Sequence, residues 1–225
     1  SNDGIKILIE NGIDVIDISN KDINDCLQEI SKANGWIIRS GTSITEKMIN
    51  QAPNLSVIGR AGVGIDNIDI TQATRKGIVV MNTPDSNTIS AAEHTMALIL
   101  SLSRNVNLGH YDIMKGKWNR NKLVGSELFN KSLGIVGLGK IGKEVMHRSL
   151  AFNMRIYGYD PYLSEEYFSD DDIDIVDLDY LISNSDYITL HMPLTDKTKD
   201  LFNYNKLSKM KKSARIINVA RGGII

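Results

Sequence analysis

One stretch constrains this chain more than any other: an apolar run that ends in three glycines spaced two and three apart. Leu133 to Val136 reads as a buried strand, Gly137, Gly139 and Gly142 follow as G-x-G-x-x-G, and Ile141, Val145, Arg148 and Leu150 mark the helix that begins among them. In a strand–turn–helix unit each glycine has its own task. Gly137 permits the tight turn, Gly139 lets the backbone come close to a pyrophosphate, and Gly142 lets the helix pack on the strand. The helix N-terminus adds N–H groups and a dipole that favour phosphate. A second strand, residues 155–159, ends in Asp160, 21 positions after Gly139. A carboxylate at about that spacing accepts hydrogen bonds from ribose hydroxyls and repels a 2′-phosphate. No Lys or Arg lies between Asp160 and Lys197 to hold such a phosphate. The expected cofactor is therefore NAD.

The length of 225 residues allows one or two domains at about 150 residues each. Alternation of short Ile/Val-rich runs with amphipathic ones predicts an α/β fold with parallel sheets. In the first part, strands are expected at residues 15–18, 36–40, 55–60 and 78–82. Helices are expected at 21–33, 45–51 and 70–76, with Thr45 capping the second of these and Gly77 stopping the third. The opening, 4–11, fits both a helix stripe (Ile5, Leu8, Ile9) and strand alternation (Ile5, Ile7, Ile9), and Asn11-Gly12, read as a helix end, favours the helix. A long helix at 89–107 is apolar on most of its faces, which predicts burial between two domains or two subunits. Residues 109–125 read as polar and irregular, with Trp118 inside as an interface anchor. Further strands are expected at 133–136, 155–159, 187–190 and 214–219. The acidic run at 169–172 reads as a solvated loop.

Composition removes several classes of function. A formal net charge of −1 gives no global attraction to nucleic acid or to an anionic membrane. No run approaches the roughly 20 apolar residues of a membrane span, and no basic-then-apolar start suggests a signal peptide. The single cysteine, Cys26, excludes an internal disulfide and a zinc site built on several cysteines. It reads as a small buried hydrophobe in a reducing compartment. A cytoplasmic protein without a metal site is expected.

Two more strand ends face the same crevice, because ligands of open α/β sheets bind outside the carboxyl ends of strands. His191-Met192-Pro193 follows one strand. Val219-Ala220-Arg221-Gly222-Gly223 follows another, and an arginine beside two glycines is well placed to hold a carboxylate bidentately.

With these residues assembled, the chain resembles the D-isomer-specific 2-hydroxyacid dehydrogenases. The carriers are Ile38-Arg39-Ser40-Gly41-Thr42, residues 57–69 with Gly62-Val63-Gly64, Asn82-Thr83-Pro84 with Asn87, and Ser90-Ala91-Ala92-Glu93. Residues 133–142 and 217–223 complete the pattern. The resemblance implies a flavodoxin-like substrate-binding domain over residues 1–82, an interdomain and dimer helix over 83–109, and a Rossmann domain over 110–225. It implies a homodimer formed through the long helix and the 109–125 arm, and a small phosphorylated 2-hydroxy acid as substrate, lying between the domains. Backbone amides of Gly62, Val63 and Gly64 would face the substrate carboxylate, with Val63 also near the nicotinamide. Arg221 would bind the carboxylate and the reacting oxygen. Lys140 and Ile141 would cover the pyrophosphate, while Met192, Pro193, Val219 and Ala220 would line the ends of the dinucleotide, with Thr198 a further contact. The phosphorylated end of the substrate needs cations or donors. Arg39 and Arg60 at strand ends would supply them, Ser40 and Asn87 would add hydrogen bonds, and Arg120 and Lys122 would reach across from a partner's arm.

In that family a histidine with a carboxylate partner takes the hydroxyl proton, on the C-terminal side of the arginine. Here four residues follow Arg221, so that pair is expected beyond residue 225. No strand is expected before the first helix, and the first residue is not Met. The chain is thus expected to be truncated at both ends, with the Rossmann part incomplete. His94 and His147 fall inside expected helices, His110 at a helix end, and His191 on the adenosine side of the cofactor. Two alternatives stay open: a glyoxylate- or hydroxypyruvate-reductase type of dehydrogenase, and a non-catalytic NAD-sensing interaction protein on the same fold.

Overall fold

The computed structural model describes residues 2–163 and 172–225. The acidic run expected at 169–172 lies outside them except for Asp172, which is exposed. The chain divides into two compact units, Ser1–Ser86 and Asn87–Ile225. Both are α/β with parallel sheets.

The first unit opens with α1 (Asn2–Glu10), ended by Gly12 at φ +75°. After a 3-10 turn come α2 (Leu27–Lys32), β1 (Gly35–Ile38), α3 (Glu46–Asn50), β2 (Val57–Arg60), α4 (Ile70–Arg75) and β3 (Val79–Asn82). The sheet order is β1-β2-β3, all parallel. Trp36, Ile38, Ile49, Ile58 and Ala73 form its core with the buried Cys26. Thr45 accepts a hydrogen bond from Met48 N and Asp69 one from Gln72 N, so both helices carry N-terminal caps. Gly77, at φ +69°, stops α4.

Two expectations for this unit fail. Residues 15–18 form no strand, and Ile16 is 62% exposed. Asp17 Oδ1 instead accepts from Ser19 N, and Ile18 O from Lys21 N. Such local bonds compete with a sheet ladder. The helix expected at 21–33 is also shortened. A 3-10 turn at Ile23–Cys26 precedes α2, in a stretch whose Asp and Asn side chains favour turns over helix.

The second unit opens with α5 (Thr88–Arg104) and α6 (Val106–Met114). A single helix over 89–107 was expected. Asn105 breaks it by adopting the left-handed conformation, φ 53°, which asparagine tolerates better than most residues. His110 accordingly lies inside α6 rather than at a helix end, and the segment expected to be irregular is helical as far as Met114. Ala92, Met96 and Ile99 pack into the core of this unit with Leu133, Val145 and Met146.

β4 (Ser132–Val136) is buried throughout, as a central parallel strand should be. α7 (Lys140–Leu150), β5 (Arg155–Tyr159), β6 (Ile173–Ile175), α8 (Leu178–Asn184), β7 (Tyr187–Leu190), α9 (Tyr204–Leu207) and β8 (Arg215–Asn218) follow. β6, α8 and α9 are additional to the elements expected from the sequence. The sheet order is β6-β5-β4-β7-β8, all parallel. The chain builds outward from β4 to β6, then returns to the other side through β7 and β8. The reversal falls between β4 and β7, and it opens a crevice at their carboxyl ends.

Candidate functional site

In the second unit the glycine turn sits at that reversal. Gly137 leaves β4 at φ +96°, and its N–H donates to Tyr159 O at 2.8 Å. A Cβ there would meet the His191 carbonyl oxygen at 2.5 Å, so the turn lies flat against the end of β7. Gly142 is buried in the first turns of α7, and any Cβ on it would collide with the Gly137 carbonyl. The helix can approach the strand only because this side chain is missing. Gly139, the N-cap of α7, has open space where a Cβ would stand. That gap lies where a pyrophosphate would approach the helix N-terminus.

Asp160 follows β5, and both of its carboxylate oxygens are engaged. Oδ2 accepts from Leu138 N and Oδ1 from Tyr162 N, each at 2.9 Å. The carboxylate therefore ties the glycine turn to the neighbouring strand end. A carboxylate offers about four acceptor positions, which leaves capacity for ribose hydroxyls. The tie to Leu138 was not foreseen from the sequence. The 21-residue spacing that marks Asp160 says nothing about Leu138.

His191 continues β7. Its N–H donates to Val136 O at 2.8 Å, and its ring Nε2 lies 3.0 Å from the Thr189 hydroxyl. Burial lowers its pKa to about 4, so the ring is neutral near pH 7. The unfolded chain takes up a proton near pH 6.5 and the folded one only near pH 4. The stability this histidine contributes is therefore complete above pH 6.5 and lost as the pH falls towards 4, a change of about 3 kcal/mol. Urea unfolding at pH 7 and pH 4.5 is expected to show that loss, and His191→Asn to reduce it. An equal loss in the variant would assign the acid sensitivity to other groups.

Met192 is half-buried and Pro193 exposed. Thr198 is half-buried in the loop that follows Pro193. Its hydroxyl donates to Pro193 O at 2.6 Å and accepts from Thr195 N, which closes the 193–198 loop. At the end of β8, Asn218 brackets the Val219–Arg221 corner. Its Oδ1 accepts from Ala220 N and its Nδ2 donates to Arg221 O. Arg221 is half-buried, with Nη1 donating to Ala220 O. Lys140 is exposed and Ile141 half-buried in the first turn of α7. The turn, Asp160, the His191–Pro193 segment and the Val219–Arg221 corner thus share the carboxyl edge of one sheet. Asn87 belongs to this unit, as the exposed N-cap residue of α5.

In the first unit the carboxyl ends of all three strands stand in register: Ile38 beside Arg60 beside Asn82. Neighbouring strands lie about 4.8 Å apart. Arg39 and Ser40 follow β1 and are exposed. Arg60 ends β2 with its guanidinium folded over Gly62, where a Cβ would overlap Nη1. Its Nε is buried and has no hydrogen-bond partner among the described residues. Two asparagines that the sequence reading left without a role hold the adjoining loops. Asn67 Nδ2 donates to both Arg39 O and Thr42 O. Asn82 Nδ2 donates to Val63 O at 2.7 Å. An Asn at a strand end before a turn could have singled out Asn82, though not the carbonyl it holds, whereas Asn67 lies seven residues after β2 and carries no such signal.

The family model described as "D-isomer specific 2-hydroxyacid dehydrogenase, NAD binding domain" matches residues 96–225. D-3-phosphoglycerate dehydrogenase of Bacillus subtilis (strain 168) is 45% identical over 225 residues, all of this chain and 42% of the relative. The chain thus spans less than half the length of that curated relative. Among solved structures, NAD-dependent formate dehydrogenase from Staphylococcus aureus in complex with NAD superposes with TM-score 0.87 at 35% identity. That match covers 99% of this chain and 67% of the other. D-lactate dehydrogenase from Aquifex aeolicus, complexed with NAD and lactic acid, gives TM-score 0.82 at 31% identity over 92% of this chain and 61% of the other.

Proposed function

The chain belongs to the D-isomer specific 2-hydroxyacid dehydrogenases, and from that premise we propose that its protein oxidises 3-phospho-D-glycerate to 3-phosphooxypyruvate with NAD. This is the opening step of phosphorylated serine biosynthesis. The observation that carries the reading is the row of cations at the carboxyl edge of the first sheet. Arg39 is exposed there, and Arg60 holds a buried Nε with no acceptor among the described residues. A phosphorylated carboxylic acid offers anions at both ends.

The residues of the second unit fit a dinucleotide. A Cβ is excluded where α7 meets β4 and absent where a pyrophosphate would pass, and Asp160 keeps acceptor capacity for a ribose. Gly137, Gly139, Lys140, Ile141 and Gly142 would hold the pyrophosphate, with Met192, Pro193, Val219 and Ala220 along the rest. NAD, when bound, supplies the acceptor for the substrate hydride. Arg221, its corner fixed by Asn218, would orient the substrate through its carboxylate and reacting oxygen. The amides of Val63 and Gly64 would bind that carboxylate, but not the Gly62 amide expected with them, whose N–H donates to Arg60 O at 2.9 Å. Arg39 and Arg60, with Ser40, would bind the phosphate. His191 takes no part in proton transfer on this reading, because it is half-buried and its Nε2 is engaged by Thr189.

The same protein is read as a homodimer. Val106, Leu108, Tyr111, Ile113 and Met114 on α6, with Trp118 and Val124 after it, are all more than half exposed. An apolar strip of that kind fits a second copy of the chain.

Arg39→Ala tests the substrate. It is expected to raise KM for 3-phosphoglycerate by about 10- to 150-fold, the worth of a charged hydrogen bond, and KM for an unphosphorylated 2-hydroxy acid far less. Equal effects on both substrates would make Arg39 a scaffold residue and remove the phosphate from the proposal.

A further inference from the structure

We propose that Asn82 is a positioning residue that aims the Gly64 amide at the substrate carboxylate. The inference rests on the reading of the 62–64 loop as the carboxylate site. A trans peptide is planar, so a carbonyl fixed on one side sends the N–H of the same peptide to the other. Both carbonyls of this loop are fixed. Gly62 O accepts from Thr83 N at 3.0 Å, and Val63 O accepts from Asn82 Nδ2 at 2.7 Å. Both pins come from the end of β3 and the residue after it. They therefore turn the Val63 and Gly64 N–H groups away from that strand, and neither donates to an acceptor among the described residues.

The two peptides are not held equally. The Gly62–Val63 peptide is pinned by a main-chain donor, which survives any side-chain change at position 82. The Val63–Gly64 peptide is pinned by the Asn82 side chain alone. Gly64 has no Cβ to resist rotation of that peptide. Asn82 is exposed, and its burial contributes little to the core, so the bond to Val63 is its main structural tie. Asp in its place has nearly the same shape but offers an acceptor where a donor is required, and it would face the Val63 carbonyl with like charge.

The test is a titration of the ¹⁵N-labelled full-length protein with 3-phosphoglycerate, read at the backbone amides. The native protein is expected to show downfield proton shifts at both Val63 and Gly64. In Asn82→Asp the Gly64 response should vanish, the Val63 response should persist, and affinity should fall about 10- to 100-fold, as for one lost bond to a charged group. NADH binding, measured by fluorescence, should not change. Asn82→Ala, which removes the donor without adding charge, should act in the same direction, and it carries the test if the Asp variant does not fold. Silence at both amides of the native protein would refute the carboxylate reading itself. Shifts at both amides in the variants, with unchanged affinity, would leave that reading intact and overturn the role of Asn82. Loss of both responses together would also overturn it, since the pin on Gly62 does not depend on residue 82.

Discussion

Gly142→Ala is expected to weaken NADH binding about 10- to 100-fold and to lower the stability of the protein as well. The added methyl group would collide with the Gly137 carbonyl, and neither backbone can yield without moving α7 off β4. Overpacking of this kind costs about 1–3 kcal/mol. The helix N-terminus moves with the strain, and with it the N–H groups meant for the pyrophosphate. Gly139→Ala supplies the contrast. Its φ of −67° suits any residue and its Cβ would meet nothing within 4 Å, so stability should hold while the methyl group stands in the path of the phosphates. Urea midpoints and NADH fluorescence on the two variants separate these effects. Normal NADH binding by Gly139→Ala would place the pyrophosphate elsewhere.

Asp160→Ala is expected to lower NAD affinity by about 10- to 100-fold and to narrow the preference for NAD over NADP. Two losses combine. Ribose hydroxyls lose a charged acceptor, worth about 1.5–3 kcal/mol, and Leu138 N loses the bond that ties the glycine turn to the end of β5. NADP gains in relative terms, because the carboxylate no longer opposes its 2′-phosphate. Asp160→Asn should fall between the two, since an amide can replace one of the bonds to Leu138 N and Tyr162 N but turns a donor towards the other. Calorimetry with both cofactors checks the order. An Asp160→Ala protein that keeps its full NAD preference would show that discrimination lies in other residues.

The parts of this fold legible in the sequence were those with local and repeated signals. β4, β5 and β7 are short apolar runs buried on both faces, and the glycine turn carries its geometry in its spacing. Thr45, Gly77 and the end of α1 at Gly12 were likewise visible as caps and stops. The failures arose where a few bonds decide between near-equal conformations. Residues 15–18 have the composition of a strand, but Asp17 turns the chain. Asn105 divides what reads as one helix, because a left-handed asparagine is inexpensive and its sequence gives no sign of it. β6 has only three residues, too few for a pattern. At the site, charged residues and glycines were easy to single out, whereas Asn67, Asn82 and Asn218 were not. Their role is to hold backbone carbonyls of residues close in space, 19 to 28 positions away for Asn67 and Asn82, and no spacing rule contains that information.

On the proposed reading, an NAD molecule lies across the carboxyl edge of the second sheet at the β4–β7 reversal. A crystal structure of this protein grown with NAD measures it directly. Pyrophosphate density is expected about 3 Å from the first-turn N–H groups of α7, beside Gly139, with the adenosine ribose on Asp160 and the remainder of the molecule running past Met192 towards Ala220. NAD density anywhere else in the protein, or none at the glycine turn under saturating NAD, would contradict that reading.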